Sequence, residues 1–599
     1  MKQLQFAFSD REALDEGLKK LRQYYDGQSF HGMLIHVYSS SINRKKIDTI
    51  QSRIDELLPE AEYVGCSSNG NILNGDFCAE EFALSCTFLE KASTKIKVLH
   101  FGLTEDTQRD VSEALVRAVD ENKWVKGVEF LINIRGMSLS GLCEGLSAVR
   151  EDVQIFGGGA FSEDINVDDT CVFSKDGGYQ EKGIVFVLMG GEDLHITSSY
   201  VSGWRPLGTF LDVTDSEGSI LKELNGKPAY ETYYKYLRIQ NDENFFFHTL
   251  EFPFLYRDKG IDIMRAPTAC TPEGYLVMTS DMDQHSRARL AYGDTWTILD
   301  STRELAEGLV EFAPECIFVF SCAGRRTFWG DDRVGSETVA YQKVAPTSGF
   351  YTSSEFLRNR EFVMQHNVTQ VVAAMKEGEG EVKRDIVIRT GDDPFEGKVP
   401  MISRMAAFIK VTMEELEEAN RKYSLMAITD GLTGLLNRSE IQRRITETVE
   451  NDDIKDIYLI MMDLDNFKSV NDVHGHKEGD NVLIRLSGMM RETMVDLEDN
   501  CCCGRWGGEE FMIMVHSQDE EVVLKHAEWI RSTMEKVRFE KAGQVTLSIG
   551  MIKVRWDESP DQACSRVDEA LYEAKNSGKN RIVNGSTLSS KKTTVYAEP

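Results

Sequence analysis

One stretch, NCCCGRWGGEEFMIMV from Asn500 to Val515, constrains the fold more than any other. Two short apolar runs with the length and composition of buried strands flank Gly507, Gly508, Glu509 and Glu510. They read as the arms of a β-hairpin closed through Gly507-Gly508, since a tight primed turn needs positive φ at its centre and glycine adopts it without steric penalty. Glu509 and Glu510 then stand at the tip. Alone, an acidic pair there is a solvated turn. A second acidic cluster changes its meaning.

That cluster lies in IYLIMMDLDNFKSVNDVHGHKEGD, residues 457–480. The run Ile457 to Met462 reads as a buried strand that stops at Asp463. Asp463 and Asp465 then sit at a strand's C-terminal end, two residues apart and on one face. A calcium loop is excluded, because an EF-hand needs a further oxygen ligand two residues after Asp465 and then Gly, where this chain has Phe467 and Lys468. Carboxylates at a strand end and at a hairpin tip suit a hard divalent ion that keeps positions open for phosphate oxygens. The Gly-Gly turn exposes backbone N–H groups, and Lys468 offers a point charge for a polyphosphate. Downstream, ALYEAKNSGKNR puts Lys575 and Lys579 at i and i+4 of one helical face. Together these residues read as a nucleoside-triphosphate site.

Over residues 430–585 the chain resembles the GGDEF family of diguanylate cyclases. The resemblance is carried in order by DGLTGLLNR, MDLDNFKSVNDVHGHKEGD, RWGGEEF, VTLSIG and ALYEAKNSGKNR. It implies a palm-like α/β sheet similar to that of nucleotidyl cyclases, in a homodimer that condenses two GTP into cyclic di-GMP. It further implies that Asp463 and Glu509, with the Leu464 carbonyl, bind Mg²⁺ or Mn²⁺, and that Asn471 and Asp480 read guanine. Lys468, Lys575 and Lys579 would hold phosphates, Gly507 and Gly508 would form the phosphate turn, and His476 would line the nucleotide site or serve structure alone. Glu510 would activate the attacking 3′-hydroxyl. Three departures stand out. Glu509 replaces Asp, Lys579 replaces the family's usual Arg, and EDNC, residues 498–501, replaces the RxxD motif of the inhibitory product site, so no product feedback is expected there. The alternative is a catalytically silent domain that binds GTP and acts as an interaction module. It is opposed by the presence of Asp463, Glu509 and Glu510 together.

At 599 residues the chain needs about three or four compact units. A formal net charge of −30 argues against a nucleic-acid or anionic-membrane partner, because phosphate backbones are bound through clustered Lys and Arg. The start, MKQLQFAFSD, has no apolar leader run, and no stretch approaches the ~18 apolar residues of a membrane helix. A cytoplasmic location is expected. The 12 cysteines include no CxxC pair and read as small buried hydrophobes, the CCC of Cys501 to Cys503 included.

Residues 1 to about 375 alternate strand-like runs such as GMLIHVYSS, EFALSCTFLE and EKGIVFVLMGG with helical stretches such as DVSEALVRAVDEN, a mixed α/β pattern in two subdomains. This region resembles FIST sensory domains through GCSSNGN, FGGGAFSED, GKPAYETYYKYL, VFSCAGRR and GFYTSSEF. The resemblance implies an intracellular sensor that binds a small ligand, an amino acid or derivative among the candidates. GCSSNG has P-loop glycine spacing but lacks the Lys-Ser/Thr pair, so it is no second nucleotide site. Cys66 and Cys322 read as structural cysteines that a ligand would also reach. Ile402, Met405, Ile409, Thr412, Leu416, Ala419, Tyr423 and Met426 follow 3-4 spacing, the seam of a short coiled coil or the inner face of a helix packed on its own domain. The expected organisation is two FIST subdomains (1–215 and 216–375), a linker with a signalling helix (376–429), the GGDEF domain (430–585) and a disordered tail (586–599).

Overall fold

The computed structural model describes residues 1–133, 137–162, 169–380, 382, 388, 401–451, 456–496 and 501–586. The connector 389–400, most of EDNC and nearly all of the expected tail lie outside the described residues. The chain divides into two compact units, Met1–Lys410 and Val411–Pro599. No helix among the described residues is long and apolar enough to cross a membrane.

The first unit holds three six-stranded sheets and one of nine strands. Three parallel pairs matter for function: Gly32–Ser39 with Glu62–Ser67, Val125–Ile132 with Gln154–Gly159, and Cys316–Cys322 with Thr347–Thr352. Nearly all of their residues are buried, as expected of strands covered on both sheet faces. Sheets cross the expected division at residue 215, since Asn71–Leu73 pairs with Thr347–Thr352 and Gln154–Gly159 pairs with Glu355–Asn359.

The helix Met401–Ile428 follows. On its expected seam Met405, Ile409, Thr412, Leu416, Tyr423 and Met426 are exposed, and the side chain of Ile402 lies outside the description.

The second unit is a five-stranded sheet in the order Cys501–Gly507, Glu510–His516, Ile457–Leu464, Leu547–Lys553, Ile582–Asn584, its central strand antiparallel to both neighbours. Side chains alternate across that strand. Tyr458, Ile460 and Met462 join a core with Leu486, Met490 and Ile530 from the helices His476–Asp496 and Glu520–Lys536. Ile457, Leu459 and Met461 pack on the other face with Ile441 of Arg438–Val449 and Val567 and Leu571 of Pro560–Asn576. The last helix starts at a capping box of Ser559 and Gln562 with Pro560 in its first turn. It then lies directly on Gly550, where a Cβ would stand 2.4 Å from the Leu571 nitrogen. Only glycine permits that approach.

Candidate active site

The alternation that buries Ile457, Leu459 and Met461 sends Asp463 to the same face, toward the end of the helix Pro560–Asn576. Lys575 in the last turn of that helix meets it, Nζ to Oδ2 at 2.6 Å. Asp463 is only 5% exposed. Burial lifts its carboxyl to about 6, against the Lys575 ammonium and with the help of negative charge on Glu509 and Glu510. The pairing that brings these acids together is the ladder itself, in which Asp463 lies opposite Glu510. The Leu464 nitrogen points at the Glu509 carbonyl, 3.4 Å away. Among the described residues no hydrogen bond or ion pair reaches the carboxylates of Glu509 and Glu510. The Asp463 carboxylate thus meets one ammonium, and the negative charge of Glu509 and Glu510 lies close enough to act on it. An all-oxygen donor set with an excess of negative charge fits a hard divalent cation and does not fit a thiophilic one.

The hairpin forms as expected but its turn differs. The two turn residues are Gly508 and Glu509, Gly507 still pairs with Glu510, and the register shifts between Arg505 and Gly507. Neither Gly507 nor Gly508 has positive φ, so the expected primed turn through Gly507-Gly508 is corrected. The irregularity around Trp506 supplies the extra twist that a primed turn would otherwise give. The glycines serve space instead. A Cβ on Gly508 would meet nothing within 4 Å, which leaves bare backbone open to a ligand.

Arg505 holds this tip. Its Nε and Nη2 donate to the Gly508 carbonyl at 3.0 and 2.7 Å, while Nη1 reaches Asp430 at 3.2 Å. Asp430 also accepts from the Thr433 nitrogen and hydroxyl. Burial would raise its carboxyl, and these donors with Arg505 bring it below the usual value. The DGLTGLLNR loop is therefore tied to the acidic turn, and Arg505 and Asp430 are site residues that the sequence reading passed over. Arg505 begins the very heptapeptide RWGGEEF, and a bidentate donor beside a turn was the available signal.

Two further expectations change. Asp465 does not stand free beside Asp463, because its carboxylate accepts from Thr546 Oγ1 and Ser548 Oγ, each at 2.7 Å, and from the Asn580 nitrogen at 3.0 Å. It clamps the strand end to the loop after the last helix. Lys575 and Lys579 do not share a helical face, since the helix ends at Asn576 and Gly578 (φ 113°) and Lys579 (φ 61°) turn left-handed. Gly578, two residues past the end, was the stop signal. Lys579 nonetheless returns to the site, donating to Asn466 Oδ1 at 2.5 Å.

The remaining candidates lie on two consecutive helices. Lys468 is exposed on the helix Phe467–His474, and His476 is exposed at the start of His476–Asp496. Asn471 and Asp480 are half-buried, and a Cβ on Gly479 would fall 2.0 Å from Asn471 Oδ1. Gly479 therefore lets the Asn471 amide lie against the turn that carries Asp480. In the hairpin's outer arm, burial pushes Cys502 up to about 11 and Cys503 up to about 12, which suits packing rather than thiolate chemistry.

Residues 427–581 match the family model described as diguanylate cyclase, GGDEF domain; residues 33–227 match that of the FIST N domain and 229–358 that of the FIST C domain. Among curated proteins the chain is 38% identical to diguanylate cyclase DgcM of Escherichia coli K12 over 173 residues, 28% of this chain and 40% of that protein. It is 31% identical to diguanylate cyclase DgcP of Pseudomonas aeruginosa over 186 residues, 30% of this chain and 27% of that one. The chain thus spans less than half the length of either relative. A solved structure, the active GGEEF domain of a diguanylate cyclase from Vibrio cholerae, is 31% identical and aligns over 25% of this chain and 97% of its own, with a TM-score of 0.24.

Proposed function

We propose that this chain, whose residues 427–581 match the GGDEF model and whose residues 33–227 and 229–358 match the FIST N and FIST C models, is a diguanylate cyclase regulated by a small ligand. It condenses two GTP into cyclic di-GMP and releases two pyrophosphates. The observation that carries this reading is the register that sets Asp463 opposite Glu510, with Glu509 in the adjoining turn and its charge acting on Asp463, beside the open backbone of Gly508.

Asp463, Glu509 and the Leu464 carbonyl would hold Mg²⁺ or Mn²⁺, which when bound neutralises phosphate charge and acidifies the ribose hydroxyl. Every other task falls to side chains and backbone. Asp480 accepts from the N1–H and exocyclic amine of guanine, and the Asn471 amide completes the edge. His476 borders the nucleotide. Lys468, Lys575 and Lys579 neutralise phosphate oxygens as point charges, and Lys575 would be available to phosphate where Asp463 is taken up in holding a cation. The Gly507 and Gly508 backbone meets the phosphates at close range. Glu510, opposite Asp463 in the ladder and without a hydrogen-bond partner among the described residues, takes the proton of the 3′-hydroxyl. That oxygen then attacks the α-phosphorus of the second GTP in line with the departing pyrophosphate, and catalysis is positioning and charge neutralisation.

Each GGDEF domain presents one GTP, so the reaction needs a homodimer. The exposed seam of Met401–Ile428 supplies the helix to pair. The FIST region is the input, the helix the transmitter, and the cytoplasm, where GTP is available, the location. The full chain incubated with GTP and Mg²⁺ is expected to yield a product with the mass of cyclic di-GMP, and Asp463→Ala to yield none. GTP bound without product under every ligand condition would overturn the cyclase reading in favour of a silent GTP-binding module.

A further inference from the structure

Lys579 enters the site from a backbone conformation that a side chain disfavours. Gly578, Lys579 and Asn580 take φ of 113°, 61° and 47°, three left-handed residues in a row of which only the first is glycine. Such strain persists only where surrounding contacts over-determine it. We propose that Arg531 is a positioning residue for the nucleoside triphosphate: through Asn580 it fixes this loop and so holds Lys579 where it meets the phosphates. The inference rests on the reading of the second unit as a GTP site.

Asn580 is the anchor. Its nitrogen donates to Asp465 Oδ2 at 3.0 Å and its Nδ2 to Glu535 Oε1 at 2.9 Å, while its carbonyl and its Oδ1 both accept from Arg531 Nη1, at 3.3 and 2.7 Å. Every polar atom of the residue is used, and asparagine is among the few residues that tolerate positive φ. Arg531 is itself locked. Glu528, one turn earlier, accepts from its Nε and Nη2 at 2.8 and 2.6 Å, and Glu535, one turn later, accepts from Nη1 at 3.1 Å. The helix Glu520–Lys536 gives this arginine a fixed base, since Val523, Ala527, Ile530 and Met534 are buried in the core on one face of the sheet. The helix Pro560–Asn576, from which the loop departs, packs on the other face. Arg531 therefore reaches the loop from the face opposite the helix that leads into it. The Lys579 nitrogen closes back on the Ala574 carbonyl at 3.1 Å, and its ammonium extends to Asn466 Oδ1, at the turn that opens the helix carrying Lys468 and Asn471. A lysine offers one point charge on a flexible stem, with no planar fork to fix its direction, so its reach is set by where its backbone is held.

Titration calorimetry on the full chain tests this with 3′-deoxy-GTP and Mg²⁺, a probe that lacks the attacking hydroxyl and so binds without being condensed. Lys579→Met should weaken binding by about 10- to 100-fold, as for a lost charged hydrogen bond. Arg531→Met keeps the apolar stem and removes the donors. It should weaken binding by about 5- to 10-fold when Lys579 is present and by less than about twofold in the Lys579→Met background, because a residue that acts through Lys579 then has nothing left to position. Asn580→Gly takes the same φ freely and loses the side-chain anchors, so it should show the same dependence on Lys579. Thermal unfolding checks that each variant is folded, and Asn580→Gly decides alone if Arg531→Met is not. Undiminished binding in either folded variant, or an equal loss with and without Lys579, as a merely structural role would give, overturns the assignment. GTP itself, followed for cyclic di-GMP in the unsubstituted chain, separates the two readings. Probe binding without product overturns the cyclase reading and leaves the coupling between Arg531 and Lys579 to be read as before, whereas an unsubstituted chain that binds no probe overturns both.

Discussion

Lys575 Nζ lies 2.6 Å from Oδ2 of Asp463, so the buried carboxylate at the strand end is held by the last turn of the final helix. Lys575→Met leaves that carboxylate without a cation and should destabilise the second unit by about 1–3 kcal/mol. Asp463→Asn in the same chain should recover most of the loss, because the neutral pair has no buried charge to satisfy. Denaturant unfolding of the two single variants and the double variant measures the coupling, and strict additivity would mean the pair contributes nothing.

Glu510 stands opposite Asp463 in the ladder, and among the described residues no hydrogen bond or ion pair reaches its carboxylate. Glu510→Gln keeps the shape and removes the base, so turnover should fall by about 10²- to 10⁴-fold while GTP binding and the fold persist. Cyclic di-GMP formation followed beside GTP affinity distinguishes this from a lost binding site.

Arg505 joins the Gly508 carbonyl to Asp430. Arg505→Ala should release the tip and lower kcat by about 10²-fold through misplacement of the turn. Arg505→Lys should recover little, since one ammonium cannot reproduce the fork. Recovery to full rate in the lysine variant would mean that charge alone suffices.

Gly479→Ala would drive a methyl group to within 2.0 Å of Asn471 Oδ1. The displaced amide should raise KM for GTP and reduce discrimination against ATP, with both substrates followed by pyrophosphate release. An unchanged GTP/ATP ratio would remove Asn471 from base reading.

Glu355 is buried in the first unit beneath the hydroxyls of Thr352 and Thr369, and burial pushes its carboxyl up to about 8 from an ordinary 4.5. Between about pH 5 and about pH 8 the folded chain keeps a proton that the unfolded chain has lost. Its stability should therefore fall as pH rises across that window, by at most about 1.4 kcal/mol per pH unit, and fall no further above it. Glu355→Gln should flatten the slope, as read by unfolding at several pH values.

The second unit was legible wherever a local rule acts. Period-two alternation from Ile457 onward already assigns Asp463 to the face of Leu459 and Met461, and two apolar arms around GGEE already require a hairpin. The turn itself was misread, because φ at Gly507 and Gly508 depends on how the register slips at Trp506, a matter of cross-strand pairing. Lys579 was misread because a 3.6 period continues on paper past Asn576, while Gly578 ends the helix in space. The role of Asp465 was hidden for a different reason. Its partners, Thr546, Ser548 and Asn580, come from another strand and from the loop beyond the last helix.

By itself the sequence determined the kinds of chemistry present: a carboxylate cluster with glycine backbone and scattered lysines, a mixed α/β region ahead of it, and a helix with an apolar stripe between. Only the tertiary structure decided which charges meet. It paired Lys575 with Asp463, turned Asp465 into a clamp, and tied Asp430 to Gly508 through Arg505. The physical reason is one of range. Strand and helix periods are set by neighbours a few residues away, whereas the partner of a buried charge is set by whichever distant backbone is packed against it.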